Sequence, residues 1–278
     1  MTFCTPELAR RIERAEATLI ADAARSAAAR LARAPLVREL CGGFAVCTEP
    51  GSPLCKVAGL GFAGSPAEAD WRAVEQGYNE RDVDVVVELS SLAEPPLVGE
   101  LAARGYELVG CENVLGLELA QARLPAPPSP IEVATLRAGE EELWLDVLLS
   151  GFAAPDTAGV PSHESFARDA LEPVIRDMAG ARGVQRQLAR CDGRPAGAAS
   201  LRVHDGIAQL CGAATLPALR RRGVQSALLS WRLELARRTG CELAVVTTQP
   251  GSKSQQNVQR LGFALLYVRT VLVRRGEA

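Results

Sequence analysis

Residues 124–130 read LPAPPSP, with proline at four of the seven positions. Proline fixes φ near about −65° and has no N–H, so such a run fits neither a helix interior nor a central strand. The stretch reads as a linker. It divides the chain into parts 1–123 and 131–278, and each part shows the same coarse alternation of strands and helices. That shared rhythm points to two similar modules. The 278 residues are enough for two ordinary domains with sizeable cores.

The first part opens with an Ala/Arg-rich helix over about 6–34. Short strands are expected at 44–48 and 55–60, then a helix over 66–80. DVDVVVELS is a strand by its β-branched run, 97–104 a short helix, and YELVGCENVLGLEL two strands in a hairpin-like pair. The second part starts with a strand at 131–136 and two helices, 140–152 and 163–177. Strands follow at 185–191, 196–204 and 207–215, the last two joined by an Asp205-Gly206 turn, which favours a hairpin. A helix over 224–238, a strand at 243–247, a helix near 254–260 and a final pair of strands over 263–273 complete a mixed sheet with helices on its faces.

Composition narrows the partners. The net charge is −2, so the chain lacks the basic balance of a nucleic-acid binder, and lysine occurs only at 56 and 253. Eight cysteines form no C-x-x-C pair, and only two histidines are present, which excludes a zinc-site spacing. The cysteines read as free thiols in a reducing compartment. No stretch reaches the roughly 18 apolar residues that span a bilayer, and the first residues lack the apolar run of a secretory signal. A cytoplasmic protein, with no metal and no membrane or nucleic-acid partner, is expected.

The most informative stretch is TLPALRRRGVQSALLSWRLELARR, residues 215–238. Pro217 stops ladder pairing after a strand. Behind Gly223, Val224, Ala227, Leu228, Trp231 and Leu235 fall on one helical face. The Arg-Gly turn therefore lies between a strand end and a helix N-terminus, where unpaired N–H groups and a partial positive charge favour phosphate. Glycine lets the backbone approach a ligand closely, and Arg220, Arg221 and Arg222 add charge and donors. A solvated basic turn is the plain alternative for three arginines taken alone.

This order resembles motif A of the GCN5-related N-acetyltransferase (GNAT) superfamily, V-x-P-x-x-R-x-x-G-x-G/A, in a two-domain type with a degenerate N-terminal half. The resemblance covers 131–274. It implies an α/β fold with a mixed α+β sheet, built as tandem GNAT-like acyl-CoA N-acyltransferase modules. It also implies acetyl-CoA as co-substrate. The amides of Arg221, Arg222, Gly223, Val224, Gln225 and Ser226 would hold its pyrophosphate, with Arg220 beside them. Ala213, Ala214 and Thr215 would pair with the pantetheine arm. SQQNVQRLGF resembles the family's last helix and Gly-Phe loop, and it makes Asn257 a polar contact to the cofactor. The acceptor would be a small-molecule or peptide amine, and the protein a monomer or homodimer.

Three positions depart from the pattern. Gln225 stands where the family has Gly or Ala. Val258 stands where it often has a tyrosine acid, and GIAQLCGAAT lacks its frequent glutamate. No catalytic acid or base is therefore assigned, and Asp156 and Glu164 are candidates without a spacing argument. A catalytically weak CoA-binding or regulatory protein is the competing reading. GLGFAG at 59–64 matches a dinucleotide-binding pattern, but Ser65 as N-cap and Pro66 at the first helical position would start the helix too late for it. The segment reads instead as a phosphate-loop position that has lost its arginines. His163 and His204 each stand alone, at a helix start and a hairpin turn.

Overall fold

A computed structural model describes residues 3–122, 124, 130–154, 160 and 168–276. Most of 124–130, together with Asp156, His163 and Glu164, lies outside the described residues. In chain order the elements are α1 (Pro6–Ala27), β1 (Leu36–Leu40), β2 (Gly43–Cys47), β3 (Lys56–Ala58), α2 (Glu68–Asn79), β4 (Val85–Ser90), α3 (Pro95–Ala103), β5 (Glu107–Glu118) and β6 (Ile131–Thr135). There follow α4 (Glu141–Phe152), α5 (Arg168–Gly180), β7 (Val184–Cys191), β8 (Arg194–His204), β9 (Ile207–Gln209), β10 (Ala213–Thr215), α6 (Val224–Arg238), β11 (Leu243–Thr248), α7 (Lys253–Arg260) and β12 (Ala264–Arg274). No helix among the described residues is long and apolar enough to cross a membrane.

Two compact units form, and they interleave along the chain. One comprises Phe3–Val114, Ser162–Arg182 and Leu266–Ala278; the other takes Leu115–Pro161 and Gly183–Leu265. The first unit orders its strands β1-β2-β3-β4-β12-β5. β1 and β2 pair through a two-residue Cys41-Gly42 turn, both residues with positive φ, which matches the right-handed strand twist. β3 and β4 run parallel, as a helical crossover through α2 requires. The core packs Trp71, Val74 and Tyr78 of α2 against Val57, Val87 and Leu89 of the sheet. α1 begins at an N-cap, where Thr5 Oγ1 accepts the Leu8 N–H at 3.2 Å.

α1 also carries charge into the interior of this unit. Glu13 Oε1 accepts from Tyr267 Oη at 2.8 Å and from Arg269 Nη2 at 2.9 Å. Glu88 pairs with Lys56 at 2.5 Å and with Arg269 at 3.4 Å, and Glu112 shares the same guanidinium at 3.4 Å. Burial, then the nearby Glu88 carboxylate, pushes the Glu112 carboxyl up to about 7.

The second unit orders its strands β5-β11-β9-β8-β7-β6, with β10 paired to β8 off this path. Asp205-Gly206 makes the expected hairpin turn, with φ of 47° and 73°. α6 covers one face and buries Val224, Ala227, Leu228, Leu229, Leu233 and Ala236. Trp231 and Leu235 of the expected stripe are only half-buried.

Several expectations need correction. YELVGCENVLGLEL forms the single strand β5, not two, because Gly110 and Gly116 keep ordinary φ and nothing turns the chain. Residues 263–273 likewise give one strand, β12, with no turn residue inside it. The first helix ends at Ala27, where Ala28 donates back to Arg25 O and the chain leaves through a turn. α2 is capped by Ala67 rather than Ser65, so the helix starts still later after 59–64. Gly61 serves packing there: an added Cβ would lie 2.4 Å from Ala93 Cβ.

Candidate acyl-CoA site

The strand ahead of the Arg-Gly turn is broken by a bulge. β8 pairs Arg202 with Gln209 on β9 and Ala199 with Ala213 on β10. Three residue steps on β8 (202 to 199) face four on the other strand (209 to 213), so one extra residue sits in Leu210–Gly212. Ser200 N–H answers by donating to both Cys211 O at 3.2 Å and Gly212 O at 3.0 Å. The carbonyl of Ser200 loses its ladder donor and takes Arg232 Nη1 at 3.1 Å instead. Arg232 lies inside α6 and is fully buried, and burial pushes its pKa down to about 10. This guanidinium ties helix to bulge.

The bulge separates two strands. β9 and β11 run parallel up to Gln209 and Val245, and Leu210 N–H still reaches Val245 O at 2.9 Å. Beyond that point β11 continues to Thr248, while β10 has β8 as its one strand partner among the described residues. Antiparallel ladders bond alternate residues to one neighbour. Ser200 bonds Gly212, and Leu216 N–H bonds Ala196 O at 2.9 Å, so the even positions face β8. The N–H and C=O groups of Ala213 and Thr215 therefore turn the other way, along an edge with no strand partner among the described residues. At the ends of the parting strands, the hydroxyls of Thr215 and Thr248 are buried and have no partner among the described residues. Ala214 is the buried member of the trio, beneath α4.

After β10, Pro217–Leu219 forms one 3-10 turn and the chain reverses into α6. Gly223 is the N-cap, with φ 89° and ψ 3°, a left-handed geometry that costs a residue with a Cβ roughly 1 kcal/mol or more. It offers no side-chain cap. The first intrahelical bond runs from Ala227 N–H to Gly223 O at 2.9 Å, which leaves the amides of Val224, Gln225 and Ser226 without helical acceptors. Val224 is buried beneath them, Gln225 is half-buried and Ser226 is exposed. The larger Gln225 side chain thus finds room beside the turn.

The three arginines divide their work. Arg220 Nη2 turns back to Gly151 O at 3.3 Å and to Ala154 O, the carbonyl end of α4, where a cation is favoured by the helix dipole. Arg222 reaches the exposed Asp192 at 3.3 Å. Arg221 is exposed, with a left-handed φ of 63°. α4 itself is fixed on β8 by Trp144, whose Nε1 donates to Ala199 O at 3.1 Å.

α7 starts at Ser252, whose hydroxyl accepts the Gln255 N–H at 3.2 Å. Asn257 is half-buried, while Val258 is 2% exposed and packs in the core with Leu210, Leu233 and Phe263. The sequence indicated the turn and helix start. It did not indicate the Arg220 brace or the Arg232–bulge contact, since both join residues distant in the chain and no local pattern encodes them. No group of three or more His, Cys, Asp or Glu suited to a metal ion occurs among the described residues.

The fold, a mixed α/β arrangement in two units, is similar to that of GCN5-related N-acetyltransferases. Residues 152–263 match the model of the acetyltransferase (GNAT) family. A GCN5-related N-acetyltransferase from Kribbella flavida aligns with a TM-score of 0.64 and 21% identity, over 94% of this chain and 96% of that one. A tandem GNAT protein from the clavulanic acid biosynthesis pathway gives 0.62 and 15% identity, over 92% and 88%. The C-terminal domain of a putative lysylphosphatidylglycerol synthetase from Agrobacterium fabrum gives 0.51 and 13%, over 96% and 91%. At these identities the likeness is one of fold. No curated protein sequence matches the chain.

Proposed function

We propose that the second module transfers an acetyl group from acetyl-CoA to an amine of a small molecule or peptide. The observation that carries this reading is the uncapped first turn of α6 behind left-handed Gly223, set next to an edge of β10 that is unpaired among the described residues. The amides from Arg221 to Ser226 suit a pyrophosphate, and the groups of Ala213 and Thr215 suit the amides of a pantetheine arm in strand-like pairing. Asn257 adds a polar contact from α7. The orphaned hydroxyls of Thr215 and Thr248 fit a polar ligand lying between the parted strands.

The chain's own contribution to transfer is to align the thioester and the amine and to offer a backbone N–H to the carbonyl oxygen as charge builds there. The two modules read in sequence order as 1–123 and 131–278 about the proline-rich linker. Each has a parallel strand–helix–strand unit, β3-α2-β4 in one and β9-α6-β11 in the other.

A second reading, a CoA-binding regulatory protein with little turnover, is favoured by Val258 in the core at the family's tyrosine position. Calorimetry and turnover separate the two. Acetyl-CoA should bind the wild type, and Gly223→Asp should abolish binding by adding bulk and negative charge at the phosphate position. Unchanged affinity in that variant would remove the site. Tight binding with no transfer to any member of an amine panel selects the regulatory reading.

A further inference from the structure

The first unit holds a pair of thiols that the acyl-CoA reading does not use. β2 and β3 pair antiparallel, with Val46 opposite Lys56 as the last partners. One step further, Cys47 faces Cys55, with sulfur atoms 3.4 Å apart. Residues directly opposite in an antiparallel pair have Cα atoms about 4.5–5.5 Å apart. That lies inside the span of about 4.4–6.8 Å that a disulfide bridges. Both side chains are buried, but the connection between them bends through Pro50 and Gly51, which are exposed. The two thiols also differ. Cys55 Sγ accepts the Thr48 N–H at 3.2 Å and sits 3.7 Å from Thr48 Oγ1, while Cys47 donates its own S–H to it.

We propose that Cys47 and Cys55 are an oxidative modification site, which a hydroperoxide converts to a disulfide. Cys55 is the attacking sulfur. The Cys47 hydrogen bond, aided by the Thr48 donors and opposed by burial, draws its pKa down to about 7, and the same hydrogen bond raises that of Cys47. Cys55 thiolate attacks the peroxide, the O–O bond breaks, and one oxygen stays as a sulfenic acid while the other leaves as water after taking a proton. Cys47 then attacks the sulfenyl sulfur, the S–O bond breaks, and its proton departs with the hydroxyl as a second water. Two thiols and one hydrogen peroxide give one disulfide and two waters. Such pairs in reducing compartments serve as redox sensors rather than as permanent staples.

The test uses the full-length reduced protein, a few equivalents of hydrogen peroxide, and peptide mapping with intact mass. The wild type should lose about 2 Da, carry a bridge between Cys47 and Cys55, and recover both thiols with dithiothreitol. Cys47→Ser should instead gain about 16 Da and take a dimedone label at residue 55. A bridge at any other pair, or oxidation spread over the other cysteines while these two stay reduced, overturns the proposal. So does a label on Cys47 in Cys55→Ser with none on Cys55 in Cys47→Ser. The wild-type mapping decides the matter even where a variant fails to fold.

Discussion

Val258 shows what a single residue settles at this site. Position 258 faces Leu210, Leu233 and Phe263 at 2% exposure, so it belongs to the core and not to the cleft. Restoring the family's tyrosine there would not restore an acid. Val258→Tyr should lower stability by about 1–3 kcal/mol through overpacking and leave acetyl transfer no faster, as read by urea unfolding and a thiol-release assay. A stable variant with raised turnover would show that the position opens to the substrate. Gly223 was legible from sequence because a turn glycine before an amphipathic stretch is a local signal. Arg220 was legible only as charge. Its grip on the carbonyl end of α4 depends on where residues 151 and 154 come to lie, some seventy positions earlier, which no short window records.

At the scale of elements, the candidate site depends on how α6 sits against the β8–β10 pair. Gly197 on β8 marks the closest approach. A Cβ there would lie 2.7 Å from Val224 Cγ1, 2.9 Å from Ala214 O and 3.1 Å from Leu228 Cδ1. The first of these is in the first turn of α6, and the second is the β8-facing carbonyl of the strand whose other edge is proposed for pantetheine. Gly197→Ala should therefore cost about 1–3 kcal/mol of stability and also weaken acetyl-CoA binding measured by calorimetry. A loss of stability with full affinity would uncouple packing from the site. The helix limits of α6 were readable in advance because a capping glycine and an apolar period agree over 224–238. The expected single strand 207–215 was not resolved into β9, a bulge and β10. The bulge is set by pairing register with β8, and register is a property of two strands together. The same limit applies to β5 and β12, which stay single strands because no turn residue interrupts them.

For the molecule as a whole, the unit that lacks the Arg-Gly turn carries its own electrostatic signature. Glu112, raised to about 7, binds its proton more tightly in the folded state than in the unfolded chain, where a glutamate titrates near about 4.3. Between those values the folded state holds more protons, so stability falls as pH rises through the window and stays lowered above it. Glu112→Gln keeps the neutral form at every pH. Its advantage over the wild type in the free energy of urea unfolding should be larger at about pH 8 than at about pH 5, by roughly 1–3 kcal/mol. An equal gap at both values would show that the carboxyl is not perturbed by folding. Two similar modules were suggested by the repeated rhythm of the sequence. That residues 162–182 and 266–278 join the unit of Phe3–Val114 was not, since composition is blind to which strand a late segment will lengthen.

The interleaving bears on birth as well as on form. Glu13 and Glu88 are made early, yet the guanidinium that answers them, Arg269, is made more than a hundred and fifty residues later. Domains emerging from a ribosome generally fold in order, the N-terminal one first. Here that order is forbidden: the unit begun first must wait, with its carboxylates solvated and its sheet short of β12, until Ala264–Arg274 has been synthesised. The segments that make up the second unit have all been made by Leu265, ahead of the end of β12 that the first unit waits for.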